Sequence, residues 1–324
     1  MRIHKCGNLD KTAFDNNHQR IAYPTAVGLG NFDGLHLGHM SLISELIQRA
    51  KTMSLRPIIY TFEVHPQQVL PAGKRVLFLT DNDQKSQILE NTGVEFVCYD
   101  RFDTVYANMS PKEFVQKILV KRLNAKLVVA GYNYHFGHKG AGTAEELNSL
   151  GKQFGFSVSI VPPYKVKGIE VSSTHIRSIL EGGKVSESPY FLGRLYSLKG
   201  KVQTGLKKGR SIGIPTANLI PDQQRIIPLP GVYITSARVG SGQKFYQSLT
   251  SIGNNPTVGL LQENVIETYI LGFDNEIYET EIEVFFHKRI RGIIKFENMK
   301  LLKEQIKKDI DETEGFFNSN LFSD

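Results

Sequence analysis

Two histidines bracket a glycine in the segment Gly28-Leu29-Gly30-Asn31-Phe32-Asp33-Gly34-Leu35-His36-Leu37-Gly38-His39. An apolar run of strand length, Thr25–Leu29, leads into it, and an amphipathic helical pattern leads out. A helix N-terminus offers backbone N–H groups and the positive end of a dipole, which together attract phosphate. Glycines let the backbone close on such a group without a Cβ clash. His36 and His39 share that terminus. Both can donate hydrogen bonds to charge developing on the α- and β-phosphates of a triphosphate, which is electrostatic stabilisation of phosphoryl-type transfer without a covalent intermediate. Gly30, Asn31, Phe32, Asp33 and Gly38 are the candidate phosphate-binding residues of the same loop.

Three further segments carry chemistry. Ser172-Ser173-Thr174-His175-Ile176-Arg177 opens a helix, so its hydroxyls either cap that helix or bind phosphate, while Arg177 can grip a phosphate bidentately. Gly205-Leu206-Lys207-Lys208-Gly209-Arg210-Ser211-Ile212-Gly213-Ile214-Pro215-Thr216-Ala217-Asn218 is a glycine- and lysine-rich loop able to cradle the phosphates of ATP. Its Thr216 hydroxyl and Asn218 carbonyl are hard oxygen donors of the kind Mg²⁺ takes beside its waters. Phe62 and Phe136 either flank a planar ring or sit in the core, and Asn133 either reads a polar edge or turns the chain.

The elements that must position these residues follow from the apolar pattern. Strand-like runs at Thr25–Leu29, Ile58–Phe62, Val94–Tyr99, Leu127–Ala130 and Val158–Val161 alternate with helical stretches. Leu42, Ile43, Leu46, Ile47 and Ala50 mark one helix face. Ser110-Pro111-Lys112-Glu113 is a capping box with proline at the first helical position, opening a helix through Leu123, and Thr143 with Glu146 repeats the signature. This alternation predicts a Rossmann-like α/β domain, a parallel sheet with helices on both faces, whose ligands bind beyond the carboxyl ends of the strands. Gly182-Gly183 reads as a helix C-cap, and the domain joint is expected just past it, giving domains 1–186 and 187–324. The second stretch predicts a small antiparallel β-barrel closed by a terminal helix with Met299, Leu302, Ile306 and Ile310 on one stripe.

The whole-chain numbers exclude several classes. An apolar share of 40% with 22% charged residues in 324 residues is ordinary globular usage. No apolar run reaches the roughly 18 residues of a membrane span. Two cysteines, Cys6 and Cys98, make no disulfide framework and no zinc spacing, and the first residues lack an apolar leader, so the expectation is a cytoplasmic protein with no membrane partner. The net charge of +7 lies mostly ahead of residue 186 and suits phosphates as well as nucleic acid. The barrel strands lack the aromatics interleaved with Lys and Arg that stacking platforms need, so no nucleic-acid partner is expected.

H-x-G-H alone marks a broad nucleotidylyltransferase superfamily in which AMP or CMP is transferred. The longer Asn31–His39 string resembles the adenylyltransferase half of the bacterial riboflavin kinase/FAD synthetase family. Thr61-Phe62-Glu63-Val64-His65-Pro66 resembles its T-F-x-P-H-P stretch, with Val64 where proline is usual. Gly131-Tyr132-Asn133-Tyr134-His135-Phe136-Gly137 resembles its G-x-[DN]-F-x-F-G loop, with Tyr134 in place of Phe. Ser172–Arg177 matches S-S-T-x-I-R, and the segment ending Pro215-Thr216-Ala217-Asn218 resembles the riboflavin kinase motif. Glu267-Thr268-Tyr269-Ile270-Leu271 is similar to its E-x-x-[LI]-L strand.

The resemblance implies two ATP-dependent steps, riboflavin to FMN and then FMN to FAD with release of pyrophosphate. It implies His36, His39 and Arg177 acting in adenylyl transfer, with Ser172, Ser173 and Thr174 on ATP and Phe62, Pro66, Asn133 and Phe136 around the flavin. For the kinase it implies Lys207, Gly209, Arg210 and Gly213 on ATP, Thr216 and Asn218 on Mg²⁺, Glu267 as base, and Arg291 at the flavin end. One departure stands out. The family usually follows that arginine with R-x-E-x-x-F, whereas Arg291-Gly292-Ile293-Ile294-Lys295-Phe296 carries no carboxylate. That departure motivates an alternative, a live adenylyltransferase beside a silent kinase, and beyond it a non-catalytic flavin or nucleotide sensor.

Overall fold

Five of the expected strands pair, with one more from the N-terminus, into a parallel sheet. The computed structural model describes residues 2–5, 20–63, 76–203, 213–255 and 263–320. The sheet contains β1 (Arg2–Lys5), β2 (Thr25–Leu29), β3 (Arg56–Phe62), β4 (Phe96–Asp100), β5 (Ala125–Gly131) and β6 (Ser157–Val161), in the order β1-β4-β3-β2-β5-β6. Every pairing in it is parallel. β1 escaped the pattern reading because it is four residues long and has one apolar side chain, Ile3.

Helices cover both faces. On one, α1 (Leu37–Thr52) buries Leu42, Ile43, Leu46 and Ala50 against Ala26, Ile59, Val97 and Val129. Complete burial of Leu46 stabilises by roughly 1.5–3 kcal/mol. The same core takes Leu89 of α2 (Asn82–Glu90), a helix capped by the Asp81 carboxylate and not anticipated from the pattern. The opposite core gathers Val27, Ile58, Phe96, Phe114, Leu119 and Leu147. The capping box forms as expected, Ser110 Oγ accepting from Glu113 N while Glu113 Oε2 accepts from Ser110 N at 3.0 Å. It opens α3 (Pro111–Phe114), but the single helix expected through Leu123 widens into a π-helical stretch at Val115–Arg122. α4 (Ala144–Phe154) is capped by Thr143. A short hairpin, β7 (Lys165–Val166) and β8 (Ile169–Glu170), precedes α5 (Ser173–Glu181). Cys98 in β4 is buried and disulfide-bonded, a bond the cysteine count did not suggest.

The chain divides into two compact units between Ser173 and Thr174. α5, counted with the first domain in the sequence reading, clusters with the second. Its end shows why: Leu180 O accepts from Leu229 N at 3.1 Å, and Gly183, at φ +72° past the helix, lies where a Cβ would meet Arg289 Cδ at 2.8 Å.

The second unit is a closed antiparallel barrel of β9 (Tyr196–Gln203), β10 (Ala217–Pro221), β11 (Gly231–Val239), β12 (Phe245–Asn255), β13 (Glu263–Ile270) and β14 (Glu281–Arg291), ordered β10-β13-β12-β11-β14-β9. Its interior holds a run of buried hydroxyls, Ser248, Thr235, Thr250 and Thr268, linked at 2.7, 2.8 and 3.0 Å. α6 (Met299–Asn320) follows. Its stripe departs from expectation: Met299 is half exposed, and the buried positions are the polar Asp309 and Thr313. Asp309 is satisfied by an arginine of the barrel, described below, which is how a carboxylate occupies a helix's inner face.

Candidate active sites

Chain order around the sheet reverses between β2 and β5, the place where parallel α/β sheets open a ligand crevice. The loop after β2 carries Gly30 to His36, and the loop after β5 carries Tyr132 to Gly137, so two motifs separated by a hundred residues flank one switch point. The strand–turn–helix arrangement of the histidine motif is present, with His36 itself the N-cap of α1.

The two imidazoles stack, centroids 3.7 Å apart and planes 12° from parallel, and Phe32 leans against His39 with centroids 5.3 Å apart. His36 Nδ1 accepts a hydrogen bond from His39 N at 3.2 Å. An accepting Nδ1 places the proton of the neutral ring on Nε2, so the cap leaves Nε2–H as the donor. Gly38 lets this packing close tightly: a Cβ there would sit 3.2 Å from the His36 ring and 3.4 Å from Val171 O, so the ring would have to give way. His36 is buried and His39 half-buried.

The loop between strand and helix is strained and tied down. Phe32 and Leu35 have φ of +48° and +38°, a left-handed backbone that bulky side chains avoid, and both are fully buried. Asp33, expected among phosphate-binding residues, is buried and accepts from Leu79 N at 2.9 Å and Thr80 N at 3.3 Å, while Thr80 Oγ1 accepts from Gly34 N. Ser173 Oγ donates to Asp33 O at 2.9 Å. Gly30 and Asn31 stand at the start of the loop, Asn31 exposed. Ser172 is half-buried, Thr174 exposed, and Arg177 lies one turn along α5.

Lys85 went unnoticed in the sequence. It is buried in α2, and its Nζ donates to Asn31 O at 3.3 Å. The available signal was a lysine four residues before Leu89, on the apolar face of an amphipathic helix.

At the carboxyl ends of β3 and β5 two of the expected flavin residues, Phe62 and Phe136, belong to one aromatic chain. Phe62 packs edge-on against Phe102 and Tyr106, with centroids 5.2 and 5.0 Å apart. Tyr106 meets Phe114 at 6.0 Å, and Phe114 meets Phe136 at 5.4 Å. Phe62 is half-buried and Phe136 belongs to the core. Asn133 is exposed in the turn closed by Tyr134 N to Gly131 O. Phe102 and Tyr106 had no sequence signal beyond aromaticity. Pro66 lies outside the described residues, as do Lys207, Gly209 and Arg210 of the kinase loop.

In the barrel, three expected residues meet. Thr216, Asn218 and Glu267 line one cleft of ≈ 310 Å³, with Gly213 at its edge. Asn218 is paired directly with Glu267 across β10 and β13, so both side chains rise on one face. The wall also includes Phe273, Glu276 and Tyr278 from the β13–β14 connection, which no motif had marked.

Arg291 sits elsewhere, in the wall of a second cavity of ≈ 500 Å³ lined by Val232, Ser251, Ile293, Phe296, Met299 and Leu302. Its guanidinium binds Asp309 of α6 through Nε at 3.0 Å and Nη2 at 2.6 Å, and Gln305 Nε2 donates to the same carboxylate at 2.9 Å. The carboxylate absent from the segment after Arg291 is thus met in space by one from the terminal helix.

Residues 18–175 match the FAD synthetase family and residues 192–317 the riboflavin kinase family. A bifunctional riboflavin kinase/FMN adenylyltransferase of Listeria monocytogenes is 37% identical, the match covering 90% of this chain and 92% of the relative. One from Haemophilus influenzae is 34% identical, covering 94% and 98%. The chain belongs to the bifunctional riboflavin kinase/FMN adenylyltransferase family. With both domains present, the family reading holds over the silent kinase and the non-catalytic sensor. Among solved structures, one described as a macrolide-efflux protein from Streptococcus pneumoniae superposes with a TM-score of 0.84 at 29% identity, covering 97% of this chain and 98% of that one. Among the described residues here, no helix is long and apolar enough to cross a membrane.

Proposed function

We propose that this bifunctional enzyme performs one step in each of two catalytic domains, 1–186 and 187–324, at the sites described above. In the first, the loop after β2 holds the triphosphate of ATP. The phosphate of FMN attacks the α-phosphorus in line, forming FAD and releasing pyrophosphate. A phosphate monoester dianion is already nucleophilic near neutral pH, so alignment and charge stabilisation are what the site must supply. His36 Nε2–H and His39 donate to the phosphate oxygens, and the Ser172 and Ser173 hydroxyls add to the anion cradle; Thr174 and Arg177 keep the roles toward ATP that the family resemblance implies. Phe62, Pro66, Asn133 and Phe136 hold the flavin. The stacked imidazoles at a helix N-terminus carry this reading.

In the barrel, Glu267 accepts the proton of the ribityl 5′-hydroxyl as that oxygen attacks the γ-phosphorus of ATP, whose bond to the bridging oxygen breaks to release ADP. Gly213 with Lys207, Gly209 and Arg210 cradles the phosphates, and Arg291 orients the flavin. No cluster of three or more acidic, histidine or cysteine ligands occurs among the described residues. The Thr216 hydroxyl and Asn218 carbonyl are instead the sparse, hard oxygen set that suits Mg²⁺ shared with nucleotide phosphates. When bound, Mg²⁺ neutralises charge on the phosphates. We place the enzyme in the cytoplasm, where ATP is available.

Incubation with riboflavin, ATP and Mg²⁺, with products separated by chromatography, tests the reading. FMN appearing first and FAD after it is expected, and both vanish on chelation of the metal. FAD formed from supplied FMN, with no FMN formed from riboflavin, overturns the kinase assignment.

A further inference from the structure

A buried lysine lies beneath the loop after β2 with very little to hold it. Lys85 is 5% exposed, its Nζ meets one hydrogen-bond acceptor, the Asn31 carbonyl at 3.3 Å, and no carboxylate among the described residues comes within ion-pair distance. Removing an ammonium from water for a single long hydrogen bond is costly, and folds retain such groups mainly where a function uses the charge.

The acceptor tells what that use is. Asn31 O is drawn inward from two sides, by Lys85 and by the Thr61 hydroxyl at 3.2 Å. A trans peptide is planar with C=O and N–H opposed, so fixing the Asn31 carbonyl inward fixes the Phe32 N–H outward. Phe32 stands at φ +48°, and among the described residues no protein acceptor takes its N–H. A cation on the carbonyl oxygen also polarises the peptide and strengthens its N–H as a donor.

We propose that Lys85 is a positioning residue for adenylyl transfer, gripping the Asn31 carbonyl with Thr61 so that the Phe32 N–H faces the triphosphate of ATP. The proposal rests on the reading of the His36–His39 loop as the triphosphate site. Asp33 and Asp81 flank the ammonium, from the loop and from the cap of α2, and favour its charged form. The Tyr99 ring of β4 lies 5.8 Å away, with Asp83 near its hydroxyl. Burial outweighs the two carboxylates and lowers the Lys85 pKa to about 8. The charge is therefore present at neutral pH and lost as pH rises past that value.

The test uses the full-length enzyme and Lys85→Met, which keeps the stem and removes the ammonium. Its kcat/KM for ATP in FAD formation is expected to fall about 100-fold, in the range seen for deleting one oxyanion donor. Riboflavin phosphorylation by the same preparation stays unchanged and reports folding. The wild-type rate at low ATP should decline above about pH 8, and Lys85→Arg, which stays charged, should push that decline to higher pH. A Lys85→Met kcat/KM within threefold of wild type overturns the proposal. So does an alkaline limb left in place by Lys85→Arg, which decides the matter even where the Met variant does not fold. Retained FAD formation in His39→Ala would instead overturn the underlying reading of the loop.

Discussion

Asn218 and Glu267 stand opposite each other across β10 and β13, at the mouth of the barrel cleft that also holds Thr216. Cross-strand partners of this kind hold their Cβ atoms about 5 Å apart, so the amide proposed to ligate Mg²⁺ and the carboxylate proposed to accept the proton are held together by the sheet register. A one-residue slip of either strand would turn one of them into the barrel.

Glu267→Gln keeps that geometry and removes the proposed base. Phosphorylation of riboflavin should drop by roughly 10²–10⁴ in kcat, the usual worth of a positioned general base. Asn218→Ala should instead raise the Mg²⁺ concentration giving half-maximal rate. Both are read in a coupled ADP-release assay with riboflavin as acceptor.

His36 does two jobs that substitution can separate. Its Nδ1 caps α1, which leaves Nε2 as the protonated nitrogen of the neutral ring proposed to meet the triphosphate. His36→Asn supplies another good N-cap, so it should melt close to wild type while losing FAD formation. His36→Ala should lose the same activity and cost about 1 kcal/mol more in stability. Equal melting temperatures for the two variants would show that the cap contributes nothing.

Asp309→Asn leaves the Arg291 guanidinium without its charged partner on a face where the carboxylate is 2% exposed. Breaking a buried pair by removing one partner costs about 3–5 kcal/mol, so the barrel unit should unfold at markedly lower denaturant concentration. The riboflavin KM should rise, because Asp309 holds the arginine proposed to orient the flavin. Adenylyl transfer to supplied FMN should persist under conditions where the kinase is lost.

His287 links pH to the barrel. It packs edge-on against Phe316 and Phe317 of α6, and Ser236 Oγ lies 3.0 Å from its Nε2. Burial lowers its pKa from 6.5 to about 4. Between those values the unfolded chain binds a proton that the native state does not. Stability is therefore full above pH 6.5 and declines as pH falls toward 4. The contribution is on the order of 2 kcal/mol after allowing for partial exposure. In urea titrations, wild type should lose stability relative to His287→Gln as pH is lowered from 6.5 to 4. Parallel curves would refute the linkage.

Much of this architecture was legible in the residues. β2 runs over Thr25–Leu29 as its apolar run indicated, and the boxes at Ser110 and Thr143 cap the helices they announced. Those are local signals, set by side chains within four residues. What stayed hidden depends on tertiary contact. The widening at Val115–Arg122 has no marker of its own in the sequence. Asp309 reads as a solvent-facing acid until Arg291 is seen beside it, and Lys85 as an ordinary surface lysine until α2 is laid on the sheet. The histidine pair was legible because both residues sit within one turn of helix. The aromatic chain from Phe62 to Phe136 was not, because its links, Tyr106 and Phe114, come from other elements.

The most direct test is the product pattern of two full-length variants, His39→Ala and Glu267→Gln, each given riboflavin, FMN or both with ATP and Mg²⁺. Separate sites require that His39→Ala accumulate FMN without FAD, and that Glu267→Gln convert supplied FMN to FAD while leaving riboflavin untouched. Loss of both products in either folded variant would contradict the account.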